Sequence, residues 1–597
     1  MSPSVSATSP NLASPATPDQ CLGQQPGLEF VIGFPQPWTH LFEVMFTVTG
    51  WQQDVLDIKM PVWTPGSYLV REYARHVQDF VASSPGQPLQ AWKCAKNHWQ
   101  IATPEITIIT IAYRVYAHEL TVRTNHLDAT HAYFNPAALC VYVPGLESLP
   151  ITVKVQPPPD WHITTALPPV PSEPQTFLAA DYDTLVDSPF EIGTHTVYDF
   201  QVLGKDHRLA VWGEGNFRAD RVIPDLEKII TLEAKLFDGL PYPDYTFILH
   251  LTGQGYGGLE HQNSCSLIYN RFGFGQPEAY QRFLCLVAHE FFHLWNVKRI
   301  RPQALASFDY EHENYTPSLW FCEGATSYYD QLIPLWAGLY DQTVYFKLLS
   351  DDISRYLTTP GRRVQPLNDS SFDTWIKLYR PDANSPNSQM SYYLKGALVT
   401  LLLDLKIRAK FHNQRSFNQV MQQLWQDYRQ AGSGFSPAQL WRVISDVVQE
   451  DLQEFAQAYI EGTAELDFNA YLAPFGLELR PNQSKSIPYT GISLKTDRGL
   501  VTIKTVDYDS PGQRAGLAVG DELVALNGWR IAAEKWSERL QDCRPGDEVA
   551  ITVFHQDQLL ETTLTLAAPQ PSRYDLSLVQ NPTPTQQTLL QGWLTFA

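Results

Sequence analysis

His289-Glu290-Phe291-Phe292-His293 sets two imidazoles four residues apart, with a carboxylate beside the first. On a helix, positions i and i+4 share a face. Both rings can then meet one Zn²⁺, and the Glu can reach the water that such an ion activates. Residues 283–295 read F-L-C-L-V-A-H-E-F-F-H-L-W, without Gly or Pro and apolar nearly all round, as in a helix buried inside a large domain. Patterns with three fixed positions also arise by chance, mostly on surface helices. Here the polar residues are islands in an apolar helix, where a Glu without a partner is costly. The pattern points to a zinc-dependent hydrolase.

Hydrolytic zinc takes three protein ligands and keeps one position open. Residues 315–329 read Y-T-P-S-L-W-F-C-E-G-A-T-S-Y-Y. Thr316 followed by Pro317 predicts an N-cap and a first helical residue. Glu323 then lies about two turns into an aromatic-rich helix, a lone carboxylate among Leu319, Trp320, Phe321 and Cys322, and is the candidate third ligand. Cys285 and Cys322 stand near these groups, but small core filler is the better reading for both.

The pair H-E-x-x-H and W-x-x-E-G resembles the gluzincin metallopeptidases. Three further segments narrow the resemblance: Tyr256-Gly257-Gly258-Leu259-Glu260-His261, His293-Leu294-Trp295-Asn296-Val297-Lys298-Arg299-Ile300 and Tyr392-Tyr393-Leu394-Lys395-Gly396. Together with Met60-Pro61-Val62-Trp63-Thr64-Pro65-Gly66-Ser67-Tyr68, they are similar to the glycyl aminopeptidase family, gluzincins with an N-terminal β-domain and a C-terminal PDZ domain. The 29 residues between His293 and Glu323 also fit that family. The resemblance implies Zn²⁺ at His289, His293 and Glu323, with Glu290 as general base. It implies that Glu260 holds the free α-amine of a peptide, with the backbone of Gly257 and Gly258 alongside the substrate. It also implies a transition-state donor at Tyr393, for which the neighbouring Tyr392 is the alternative. Small N-terminal residues, Gly and Ala above all, are the implied substrates.

The elements that must position these groups follow from the pattern. Residues 1–27, rich in Ser, Pro, Thr and Gln, read as a disordered tail with no basic and apolar leader. From 28 to 195, short alternating runs broken by Pro, Gly and Asn predict an antiparallel β-domain. Its Thr64-Pro65-Gly66-Ser67 turn leads into Arg71, Glu72, Arg75 and His76, either a loop closing the cleft or a solvated turn. Residues 196–470 read as mainly helical, and the resemblance implies that they form a thermolysin-like catalytic domain. It has a strand at 245–251, a Gly-rich loop at 253–258, helices at 389–410 and 417–428, and a Pro-rich connection at 360–384 suited to a lid. Residues 487–567 return to strands and resemble a PDZ domain: Ser510-Pro511 with Ala515-Gly516-Leu517, then Gly520-Asp521 and Asn527-Gly528. A carboxylate-binding loop would fall at Tyr489-Thr490-Gly491-Ile492, so a C-terminal peptide ligand and a purely structural PDZ both remain open. The 568–597 tail ends in an apolar stretch that can dock on the body. The fold class is thus multidomain α+β.

Composition narrows the partners. The formal charge of −20 disfavours nucleic acid and anionic membrane surfaces. No run of apolar residues is long enough to span a membrane. Seven scattered Cys without C-x-x-C suit a reduced, cytoplasmic protein. The expected function is a zinc aminopeptidase acting on peptides with a free N-terminus. The alternatives are a thermolysin-like endopeptidase, or a PDZ scaffold with an idle peptidase body.

Overall fold

A computed structural model describes residues 26–482 and 487–596; the expected tail at 1–27 lies almost wholly outside them. Three separate apolar cores mark an N-terminal β-rich body, a central body and a C-terminal body.

The N-terminal body is built on a seven-stranded sheet, with smaller sheets of four and three strands beside it. Its strands alternate as half-buried strands must: in Leu41–Thr49 the side chains of Phe42, Val44, Phe46 and Val48 point inward. One pairing departs from the antiparallel expectation. Gly27–Gly33 runs parallel to Ile151–Gln156, with Phe30 opposite Val153. A parallel pair needs a long crossover, and the intervening strands supply it.

The central body is less purely helical than expected. A five-stranded mixed sheet runs in the order Thr196–Val202, Lys205–Trp212, Asp244–Thr252, Ser264–Asn270, Tyr256–Glu260. The Gly-rich segment expected as a loop thus continues into an edge strand, with Glu260 opposite Cys265. The mostly buried Ser264–Asn270 strand beside it imposes the extended conformation that two glycines alone would not specify.

The helices pack on this sheet. Pro277–Phe292 carries H-E-x-x-H, starts with Pro at its first turn and ends one residue before His293. Leu319–Trp336 carries Glu323. It begins later than Thr316-Pro317 suggested: the Thr316 hydroxyl accepts from the Ser318 N–H instead, and Ser371 accepts from the Trp320 N–H. Glu323 therefore lies just past the first turn. Tyr392–Phe411 crosses this helix at a glycine pair; a Cβ on Gly324 would stand 2.5 Å from Gly396 Cα. Gly324 is thus a packing contact inside the helix.

The 60–68 segment plugs the N-terminal body into the central one. Trp63 is fully buried, edge-on to Trp375 at 5.1 Å, and donates to the Asp309 carbonyl. The 360–384 connection holds short helical turns rather than an extended lid. Residues 487–567 form a six-stranded sheet over Ile503, Leu523, Ile551 and Leu564. Pro584–Leu594 then docks on the central body: the buried Trp593 donates to the Tyr328 hydroxyl at 3.1 Å. Among the described residues no helix is long and apolar enough to cross a membrane.

Candidate active site

The H-E-x-x-H helix and the Glu323 helix lie face to face, with Phe292 stacked on Tyr329 at 4.7 Å. This brings three donor atoms into a triangle: His289 Nε2 to His293 Nε2 is 3.1 Å, His289 Nε2 to Glu323 Oε2 is 3.5 Å, and His293 Nε2 to Glu323 Oε2 is 3.3 Å. A tetrahedral ion with bonds of about 2.0–2.1 Å needs ligands roughly 3.3 Å apart. Two imidazoles and a carboxylate therefore stand where a metal ion fits, and the three residues form one potential metal cluster. Burial acts to raise the Glu323 carboxyl, but the two imidazoles outweigh it and hold it down at about 2.

Each ring is oriented by its other nitrogen. His289 Nδ1 lies 2.9 Å from Asp330 Oδ2, and His293 Nδ1 lies 2.6 Å from the Asn296 carbonyl. Such contacts fix the tautomer that leaves Nε2 free for a metal. Asn296 does more: its amide donates to the Phe321 and Cys322 carbonyls and to Thr326 Oγ1, tying the end of one helix to the other. Burial lifts the Asp330 carboxyl to about 6 against the opposing pull of His289.

A cavity of about 310 Å³ opens on this triangle, and Glu260, Glu290, Arg123, Tyr393, Gly257 and Gly258 all line it. Burial raises the Glu290 carboxyl to about 7, while His289 and His293 pull it down. Gly258 is required by Glu290 itself: a Cβ there would lie 2.3 Å from Glu290 Cδ. That is a different reason from room for a substrate backbone. Gly257 needs its freedom for the chain path, at φ +149°. Glu260 is buried against the N-terminal turn; a Cβ on Gly66 would fall 2.6 Å from Glu260 Oε1. Arg71, Arg75 and His76, further along that segment, surround a separate cavity of about 710 Å³. Of the two tyrosines, Tyr393 faces the site, its ring 6.3 Å from that of His289. Tyr392 is buried and accepts from Thr374 Oγ1.

Family models match this architecture in three places. The M61 peptidase N-terminal domain covers residues 29–194, the M61 glycyl aminopeptidase residues 282–399, and a PDZ domain residues 488–566. An aminopeptidase N family protein from Idiomarina loihiensis is 32% identical, with a TM-score of 0.90 over 95% of this chain and all of that one. The chain belongs to the M61 glycyl aminopeptidase family. It is a metallopeptidase of the aminopeptidase class, with an N-terminal β-rich domain, a mainly helical catalytic domain and a C-terminal PDZ domain. An M1 zinc metallopeptidase from Deinococcus radiodurans is similar at 13% identity, with a TM-score of 0.47 over 74% of this chain and 94% of that one. No curated protein matches the sequence.

Two residues of this family member's site were not among those the sequence singled out. Asp330 is seven residues past Glu323, on the same helical face, and that periodicity could have found it. Arg123 has no such signal. It comes from the N-terminal domain and donates from Nη2 to the Gly258 carbonyl at 3.0 Å, pinning the edge strand.

Proposed function

We propose that this metallopeptidase is a zinc aminopeptidase that removes a small N-terminal residue, Gly or Ala, from peptides. The observation that carries the reading is the single cavity walled by Glu260, Glu290 and the His289–His293–Glu323 triangle. The donor set suits Zn²⁺, which would supply Lewis-acid polarisation of the scissile carbonyl and lower the pKa of a water ligand. The small-residue preference rests on the glycyl family match.

The chain's own groups would divide the work as follows. The Glu260 carboxylate holds the α-ammonium of the substrate, so the peptide has to begin where Glu260 sits. The Gly66 turn packed on that carboxylate closes the space beyond it. Glu290 takes a proton from the attacking water as its oxygen bonds to the carbonyl carbon. The Tyr393 hydroxyl donates to the oxygen on which negative charge develops. When the C–N bond breaks, Glu290 passes its proton to the leaving amine, and the products are a free amino acid and a peptide shorter by one residue.

The PDZ domain offers Ile492–Asp497 as an edge strand, to which the C-terminus of a peptide could add, with the 489–492 loop at its head. All described cysteines are unpaired, which suits the cytoplasm.

A panel of short peptides with varied N-terminal residues, free or N-acetylated, with and without chelator, tests the proposal. Free Gly and Ala peptides should be the best substrates, and chelator should abolish turnover. Glu260→Ala should lower kcat/KM on free-amine peptides by roughly 10- to 100-fold, since a hydrogen bond to a charged group contributes about 1.5–3 kcal/mol. Equal loss on acetylated peptides would sink the aminopeptidase assignment and leave an endopeptidase.

A further inference from the structure

A second group of metal-type ligands lies at the joint between the N-terminal and catalytic domains. Strand His131–Phe134 pairs antiparallel with Phe190–Gly193, His131 opposite Gly193 and Tyr133 opposite Glu191. Residues directly opposite or two apart share a sheet face, so His131, Tyr133 and Glu191 point the same way. That face meets Asp244–Thr252 of the catalytic sheet, and Glu191 Oε2 lies 2.8 Å from His250 Nε2. Gly193 leaves room for the arrangement, because a Cβ there would stand 2.9 Å from His131 Cβ.

His131, Glu191 and His250 are all fully buried, and one ligand atom from each lies within 4.8 Å of the others. The hydrogen bonding is incomplete. His131 Nε2, Glu191 Oε1, His250 Nδ1 and the neighbouring His195 Nδ1 are buried without a partner. Unpaired buried polar atoms are destabilising and rare, yet four of them meet here. His131 is held in place by Trp212, stacked on it at 3.7 Å. An adjacent trio, His126, Asp128 and His131, also has metal spacing. Its carboxylate is partly exposed rather than buried, and Asp128 Oδ1 accepts from the Thr130 N–H, the Thr130 hydroxyl and the His131 N–H while Oδ2 faces His126 Nε2 at 3.2 Å.

We propose that His131, Glu191 and His250 bind a second divalent metal ion, Zn²⁺ being the one that suits two imidazoles and a carboxylate. Full burial makes it a structural staple between the two domains, because a catalytic site keeps a position open to substrate. A tetrahedral site has ligands roughly 3.3 Å apart, so binding replaces the 2.8 Å hydrogen bond between Glu191 Oε2 and His250 Nε2 and parts the two slightly, with a buried water as the fourth ligand. His195 backs the carboxylate. Its Nε2 lies 2.8 Å from the Thr164 hydroxyl; in the tautomer in which that hydroxyl donates to Nε2, Nδ1 donates to Glu191 Oε1, now 3.9 Å away.

The test is the zinc count of the full-length protein, loaded with Zn²⁺, desalted and measured by mass spectrometry. Wild type should hold two ions per chain. The double variant His289→Ala, His293→Ala should keep one, and Glu191→Gln should also keep one. A wild-type count of one overturns the proposal, as does a double variant that holds none. If Glu191→Gln fails to fold, the double variant still decides, because it leaves the second cluster untouched. In that double variant, stripping the remaining zinc with chelator should lower the unfolding temperature, and an unchanged temperature would refute the staple.

Discussion

His289 and His293 stand four residues apart on one helix and meet Glu323 from the next, whereas His131, Glu191 and His250 come from three strands in two domains. The first triangle opens on a cavity and is oriented by Asp330 and the Asn296 carbonyl. The second is closed on all sides, with three of its polar atoms unpaired. The same donor set can therefore serve two ends. Helical spacing beside a cleft builds a site that must be reached, while strand register at a domain joint builds one that must hold.

The contrast breaks most visibly at the residue that has no counterpart in the buried cluster. Glu290 sits beside a ligand and faces the cavity without needing to bind metal. Glu290→Gln should therefore cut turnover by about 10²–10⁴-fold, the usual contribution of a general acid–base group, while the zinc count stays as in wild type. Turnover within a few-fold of wild type would remove the base assignment. Loss of zinc would show instead that Glu290 supports the metal, making the open site more like the buried one. Glu191→Gln, by contrast, should show first in zinc count and unfolding temperature.

Asp330 gives the next effect in size, because the open site has an outer partner already in place. Asp330→Asn should weaken zinc binding at the open site by about 10–100-fold, as expected when a carboxylate behind a ligating His is lost. Competition with a chromogenic chelator reads this directly. An unchanged affinity would mean that the Nδ1 contact of His289 contributes nothing to holding the ion.

How far each site was legible in the sequence follows from the same contrast. The i, i+4 spacing of His289 and His293 is fixed by local helix geometry, so five residues sufficed. Glu323 was legible as a lone carboxylate among aromatics, although its helix begins after Pro317, because Ser371 rather than Thr316 serves the Trp320 N–H. The antiparallel pattern of the N-terminal domain was visible in alternations such as Phe42, Val44, Phe46. The parallel Gly27–Gly33 pairing was not, since no local pattern encodes which distant strand is a neighbour. His131, Glu191 and His250 stayed hidden for that reason. Only the register that sets His131 against Gly193, and the packing of two domains, brings them together.

The smallest effect concerns the residue that lies between the two clusters. Arg123 reaches the open cavity from the N-terminal domain and donates to the Gly258 carbonyl. The segment that carries it is held from the buried side: the Tyr133 hydroxyl donates to the Val122 carbonyl, and Tyr133 is two residues along the strand from His131. Arg123→Lys keeps a positive charge but loses the planar fork that bonds Gly258. The edge strand bearing Glu260 should then be held less firmly, and kcat/KM should fall about two- to tenfold, the equivalent of one net hydrogen bond of about 0.5–1.5 kcal/mol. Because the loss lies in positioning the strand that grips the substrate amine, it should appear in KM on free-amine peptides and leave acetylated ones unmoved. A fall of the same size in kcat on both would place Arg123 in the chemistry itself. No change would mean that the N-terminal domain contributes the Gly66 turn to this site and nothing more.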